Sequence, residues 1–159
     1  MKKKIGIAVL VAAAVLAVAL FLVFRGADKP AQANADEISL QIQLDLKEDI
    51  GLLLIDSDMD GAVSSGGSSN ADKTMLKKDD CIYWPIERQN DENIPDNVTL
   101  SLRFTVITEY CEANYENIYP SEYQIPMDAI TFPARFGDSY SIRITGDKTN
   151  GYQAVLEQG

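Results

Sequence analysis

The chain has 159 residues, of which 24 are acidic and 14 are basic, and it contains no histidine. Without histidine, Ser-His-Asp and Cys-His catalysis and histidine-ligated zinc are excluded. All 24 acidic residues but only ten of the basic ones follow Arg25, so that part carries a net charge of −14. A surface this acidic repels phosphate, which argues against nucleic acid as a partner, and it keeps an exported domain dispersed.

The N-terminal segment carries an uninterrupted apolar run of 20 residues, Ile5 to Phe24, between Lys2–Lys4 and Arg25. A helix of that length spans about 30 Å, the hydrocarbon thickness of a bilayer. Residues 1–25 are therefore predicted to form a signal anchor that crosses the membrane through residues 5–24. A cleaved signal peptide is the alternative, because small-residue cleavage sites follow within 31–35.

The basic residues before the apolar run predict the orientation of the chain. Positive charge stays on the cytoplasmic side, so the N-terminus is expected inside and the rest of the chain outside. The expected product is a single-pass membrane protein, or a secreted one if the segment is cleaved. Residues 26–36 contain alanine, glutamine and proline without periodicity and are predicted to be a linker, and residues 37–159 suit one domain.

The pattern after the linker predicts strands. Apolar and polar residues alternate with a period of two, which gives each strand one buried and one exposed face. The segments with this pattern, or with a short continuous apolar run, are 38–47, 52–55, 98–106, 140–145 and 152–156, with weaker signals at 81–87 and 127–132. About seven short strands predict an all-β domain, an antiparallel β-sandwich whose arrangement is compatible with an immunoglobulin-like fold. The Ser- and Gly-rich segment 64–70 is expected to be a surface loop.

One acidic motif has the spacing of a metal site. Asp56, Asp58 and Asp60 alternate and are followed by Gly61, as in the first half of an EF-hand calcium loop. The twelfth position of such a loop would be Gly67 instead of the required glutamate. Two interpretations remain open: a calcium site completed by another loop, or an acidic turn at the end of a strand. No other cofactor is expected.

Cys81 and Cys111 are the two cysteines of the chain. An exported domain can join such a pair as a disulfide, and this one would close a loop of about 30 residues, worth roughly 3–4 kcal/mol. The sequence therefore predicts a bridge between strands, with two separate thiols as the alternative.

Three tyrosines, Tyr115, Tyr119 and Tyr123, form a candidate binding surface. Tyrosines beside glutamates can stack on sugars or pack against a protein partner. A loop held to the sandwich by its own aromatic side chains is the alternative interpretation.

The function expected from these features is that of a membrane-anchored extracytoplasmic binding or structural module. Its expected partners are the membrane itself and an envelope protein or an extracellular glycan. No nucleophile motif accompanies the acidic residues, so the chain is not expected to be an enzyme. A small carboxylate-dependent hydrolase acting on glycans is one alternative. An accessory subunit of a membrane complex, docked through its apolar helix, is another.

Overall fold

The structure is a computed structural model that describes residues 34–88, 94–111 and 119–157. The predicted anchor at 1–25 and most of the predicted linker lie outside these residues. Within them, no helix has both the length and the apolar character needed to cross a membrane. Their regular elements are strands, with one 3₁₀ turn at Ser121–Tyr123.

Within the described residues nine strands form two packed sheets, which confirms the predicted all-β sandwich. Their bounds are β1 Glu37–Leu46, β2 Leu52–Met59, β3 Ala62–Ser68, β4 Cys81–Glu87, β5 Asn97–Ile107, β6 Gln124–Pro126, β7 Ile130–Arg135, β8 Ser139–Asp147 and β9 Gly151–Glu157. The first sheet has the order β4-β1-β8-β9. The second has the order β3-β2-β5, and β6 and β7 both pair with β5.

The core lies between the two sheets and follows the alternation in the sequence. In β1 the alternate residues Ile38, Leu40, Ile42 and Leu44 are fully buried. In β5 the alternate residues from Val98 to Val106 face them from the second sheet and belong to the same apolar cluster. The period of two thus decides which face of each sheet is removed from water.

The prediction of a wholly antiparallel sandwich is wrong in one place. β1 and β8 run parallel, with Ser39 opposite Ser139 and Leu46 opposite Gly146. The chain crosses from β7 into the first sheet at Gly137, whose N–H donates to the Glu37 carbonyl at 2.8 Å, and it therefore enters β8 beside the start of β1. Strand direction depends on this crossover, and the alternation pattern is the same for either direction.

The strand boundaries correct the sequence prediction in the region of the acidic motif. β2 continues through Asp56 and Asp58 to Met59 instead of ending at Ile55. Segment 64–70, expected to be a loop, contributes most of its residues to β3, which pairs with β2 in a hairpin from Leu53–Ser68 to Met59–Ala62.

Candidate functional site

The hairpin between β2 and β3 turns on two residues, Asp60 and Gly61. Their φ angles are +52° and +98°, the values of a type I′ turn, which suits the right-handed twist of paired strands. The Asp58 carboxylate accepts the Gly61 N–H at 2.8 Å, and this bond tightens the turn. The acidic motif therefore forms the end of a strand and a turn.

The three predicted calcium ligands do not converge on one point. Asp56 and Asp58 lie two residues apart on the outer face of β2, and the Asp60 carboxylate accepts the Thr99 N–H of β5 at 3.3 Å. Across residues 34–88, 94–111 and 119–157, no group of three acidic or cysteine side chains is arranged to hold a metal ion. Calcium titration separates the two interpretations of the motif.

β3 is an edge strand without the usual protection of an edge. Its sequence AVSSGGS contains neither charge nor proline. The other edge strands contain one or both: Pro85 in β4, Pro126 in β6, Pro133 in β7 and Glu157 in β9. Charges and prolines at edges prevent pairing with another chain, so β3 is the edge where such pairing is least opposed.

The hairpin decides which backbone groups of β3 are available. In a two-residue hairpin the closing pair, here Met59 and Ala62, is hydrogen-bonded, and such pairs recur at every second position. Val63, Ser65 and Gly67 therefore direct their N–H and C=O groups away from β2. No strand pairs with that side of β3 in the part of the chain that the structure describes.

A groove of about 520 Å³ lies on the outer face of the second sheet, next to this edge. Tyr119 contributes an aromatic wall. The remaining lining residues are Leu52, Leu54, Asp56, Ser65, Gly66, Gly67, Ser68 and Ser69. Gly67 lies directly opposite Leu54 and has no side chain, so the leucine stays partly open to the groove.

The groove contains one carboxylate, that of Asp56, among the described residues. A two-carboxylate glycosidase needs a second one facing it across the scissile bond, at about 5–9.5 Å. The described lining gives the groove an apolar floor at Leu52 and Leu54, an aromatic wall at Tyr119 and a polar rim of serines.

Trp84 closes the sandwich beneath the same edge. It lies on β4 of the first sheet, and its indole ring packs on Gly66 of β3 so closely that a Cβ at Gly66 would lie 2.6 Å from the ring. This contact joins the two edge strands on the core side and holds β3 in place.

The predicted tyrosine surface is brought together only in part. Tyr115 lies outside the described residues. Tyr119 lines the groove, and its carbonyl accepts the Gln124 side-chain N–H at 2.7 Å. Tyr123 ends the 3₁₀ turn and is not among the residues that line the groove; its carbonyl accepts the Thr108 N–H at 2.9 Å.

The predicted disulfide between Cys81 and Cys111 is not formed in the structure. Cys81 begins β4, opposite Gln43 in the first sheet, whereas Cys111 follows the end of β5 in the second. Burial, with a smaller contribution from the charge of Glu122, raises the pKa of the Cys111 thiol. Cys81 lies in a strand of the first sheet and Cys111 in the segment after a strand of the second, and this separation depends on strand order, which the sequence does not contain.

Sequence reasoning missed the β3 edge altogether. The available signal was Asp60-Gly61, a dipeptide typical of two-residue hairpins, between two segments of similar length. The serines and glycines of β3 have low strand propensity and concealed it.

Comparison with known proteins adds distant structural similarity only. No protein-family model matches the chain, and no curated protein does. A protein from Eubacterium rectale solved by NMR has a TM-score of 0.43 at 12% identity, over 82% of this chain and 97% of that one. Pneumolysin has a TM-score of 0.38 at 12% identity over 77% of this chain, which spans 24% of the pneumolysin chain. A non-hemolytic pneumolysin from Streptococcus pneumoniae strain ST306 gives the same values. With TM-scores below 0.5, these similarities carry no argument about function.

Proposed function

We propose that this chain is a membrane-anchored extracytoplasmic binding module that receives an extended segment of a partner protein along β3. The observation that carries the proposal is the neutral edge of β3 beside the Tyr119 groove, which none of the described strands covers. An added strand gains backbone hydrogen bonds from the edge, and pockets for its alternate side chains give the selectivity.

The groove fits the side chains of such a strand. Val63, Ser65 and Gly67 offer the hydrogen-bonding groups, so a strand pairing with them directs every second side chain to the outer face of the sheet. An apolar side chain placed opposite Gly67 would cover Leu54 beside Tyr119. Burying apolar surface there stabilises the complex by about 25 cal/mol per Å² before the costs of association.

The proposed location of the module follows from the N-terminal segment that precedes it. A helix over residues 5–24 would hold the module at the membrane, with Lys2–Lys4 in the cytoplasm and the sandwich outside. We also propose an immunoglobulin-like arrangement for the sandwich. If the partner protein lies in the same membrane, the module would act as an accessory subunit of a membrane complex. Protease added to intact cells is expected to digest the sandwich, and full protection until lysis would overturn the export of the module.

Photocrosslinking at Val63 tests the binding. This side chain is 69% exposed and lies on the outer face of the edge. A photoreactive amino acid placed there in the full chain, in intact membranes, is expected to give a defined adduct. The same amino acid at Val155, which is 47% exposed on β9 at another edge, is the matched control and is expected to give none.

Ser65→Pro is the variant that separates edge pairing from mere proximity. The Ser65 N–H points away from β2, so proline removes a donor that the hairpin does not use and blocks an incoming strand. We expect loss of the Val63 adduct with an unchanged thermal melt. An adduct that survives Ser65→Pro, or no adduct in the unaltered edge, would overturn the proposal.

A further inference from the structure

We infer that the extended segment received by β3 is β3 of a second copy of this chain, so that two hairpins join into one continuous sheet. The inference rests on the proposed function and names its partner. An interface between identical chains related by a two-fold axis must be complementary to itself. The outer face of β3 has this property.

Ser65 is the centre of the complementarity. An antiparallel pair with Ser65 opposite Ser65 of the second copy places Val63 opposite Gly67 of that copy, and Gly67 opposite its Val63. Val63 is the most exposed large apolar residue among the described residues, and Gly67 is a position without a side chain over the groove. The valine of each copy thus covers the apolar floor at Leu54 of the other copy, so the dimer contains this contact twice.

The charge of the domain does not prevent this contact. β3 itself is neutral, and the nearest acidic row, Asp56 opposite Ser65, lies one strand further in. The two Asp56 side chains would be separated by three strand spacings, about 14 Å. This exceeds the screening length of about 8 Å at physiological salt. Asp58 and Asp60 already accept backbone N–H groups of their own chain, which favours a neutral strand over a basic one.

The size of the contact indicates where the dimer exists. A seven-residue strand is about 23 Å long, so pairing along one edge buries on the order of 500 Å² in total. Stable dimers of soluble proteins bury about 1,200–2,000 Å². Confinement of the copies to one membrane raises their effective concentration, which compensates for a small interface. We therefore expect association of the anchored chain and a monomer once the anchor is removed.

Single cysteines test the pairing and its register in the full chain, with Cys81→Ser and Cys111→Ser as background. In the Ser65→Cys chain the two cysteines of a dimer would lie opposite each other, with their Cα atoms about 5.5 Å apart, which is within the range of a disulfide. Mild oxidation of membranes is expected to give a covalent dimer, and Val155→Cys is expected to give none. Chains with Val63→Cys alone stay monomeric, because the two thiols lie about 13 Å apart along the strands. Val63→Cys chains mixed with Gly67→Cys chains are expected to crosslink.

The outcomes distinguish this inference from the proposed function. Equal dimer formation by Ser65→Cys and Val155→Cys, or none by Ser65→Cys, overturns pairing with a second copy. Pairing of Val63→Cys with itself overturns the register. If the Val63 photoadduct contains a different protein and Ser65→Cys stays monomeric, the module binds at β3 but its partner is not itself. If no adduct of any kind forms at β3, both the inference and the proposed function fail.

Discussion

Replacing Gly66 with alanine is expected to loosen the contact that holds the β3 edge. A Cβ at this position would lie 2.6 Å from Cη2 and 2.8 Å from Cζ2 of Trp84. Carbon atoms in ordinary contact are about 3.5–4.0 Å apart, so the rigid indole ring must move by about 1 Å. Overpacking of this kind costs about 1–3 kcal/mol. For a domain of this size the melting temperature would fall by roughly 4–12 °C.

Gly67→Ala is the matched control. Its Cβ would lie 3.1 Å from Cδ2 of Leu54, the far end of a flexible side chain beside the groove, and 3.3 Å from the Leu53 carbonyl oxygen, so the edge strand must shift by only a few tenths of an ångström. The leucine can shift to make room. Exchanging glycine for alanine also reduces the conformational entropy of the unfolded chain, which stabilises the folded state by about 0.4–1 kcal/mol. We therefore expect the melting temperature of Gly67→Ala to stay near that of the unaltered chain.

Fluorescence gives a second, independent measurement, because Trp84 is the only tryptophan of the chain. In Gly66→Ala the displaced ring is expected to gain water contact and shift its emission to the red, whereas Gly67→Ala leaves it unchanged. Equal melting temperatures for the two variants together with identical emission spectra would refute the packing argument.

Three further predictions concern alkaline stability, the thiols and calcium. Burial raises the pKa of Tyr152, and the hydrogen bond that its hydroxyl donates to Glu48 at 2.6 Å raises it further. The contribution of this tyrosine to stability is therefore complete below about pH 10. Above that pH the unfolded chain loses a proton that the folded chain keeps, so the melting temperature falls as the pH rises. An equally steep fall in the melting temperature of a Tyr152→Phe chain would contradict this. Alkylation without reductant is expected to label both cysteines, and to label the exposed Cys81 faster than Cys111. An unlabelled chain whose mass is two hydrogens lower than that of the dithiol would indicate the disulfide instead. Millimolar Ca²⁺ is expected to leave the melting temperature unchanged, because the Asp56–Asp60 carboxylates lie apart along a strand and a turn, and a clear rise would restore the calcium site.

The sequence by itself determined the strands that build the core. The alternation at 38–47 and 98–106 is sufficient to predict β1 and β5, because burial of one face imposes a period of two on the side chains. It also gave the all-β class, and it offered an acidic turn at the end of a strand as one of two interpretations of the motif from Asp56 to Asp60. These features depend on neighbours along the chain, and local chemistry decides them.

Only the tertiary structure decided the pairing of the strands and hence the candidate site. The parallel contact of β1 with β8 and the separation of Cys81 from Cys111 follow from crossovers between sheets, which leave no trace in the alternation. β3 has weak intrinsic propensity and becomes a strand because β2 supplies its hydrogen bonds and Trp84 packs on Gly66. The groove exists because Tyr119 meets residues of β2 and β3 and Ser69, which lie 50 to 67 positions earlier in the chain.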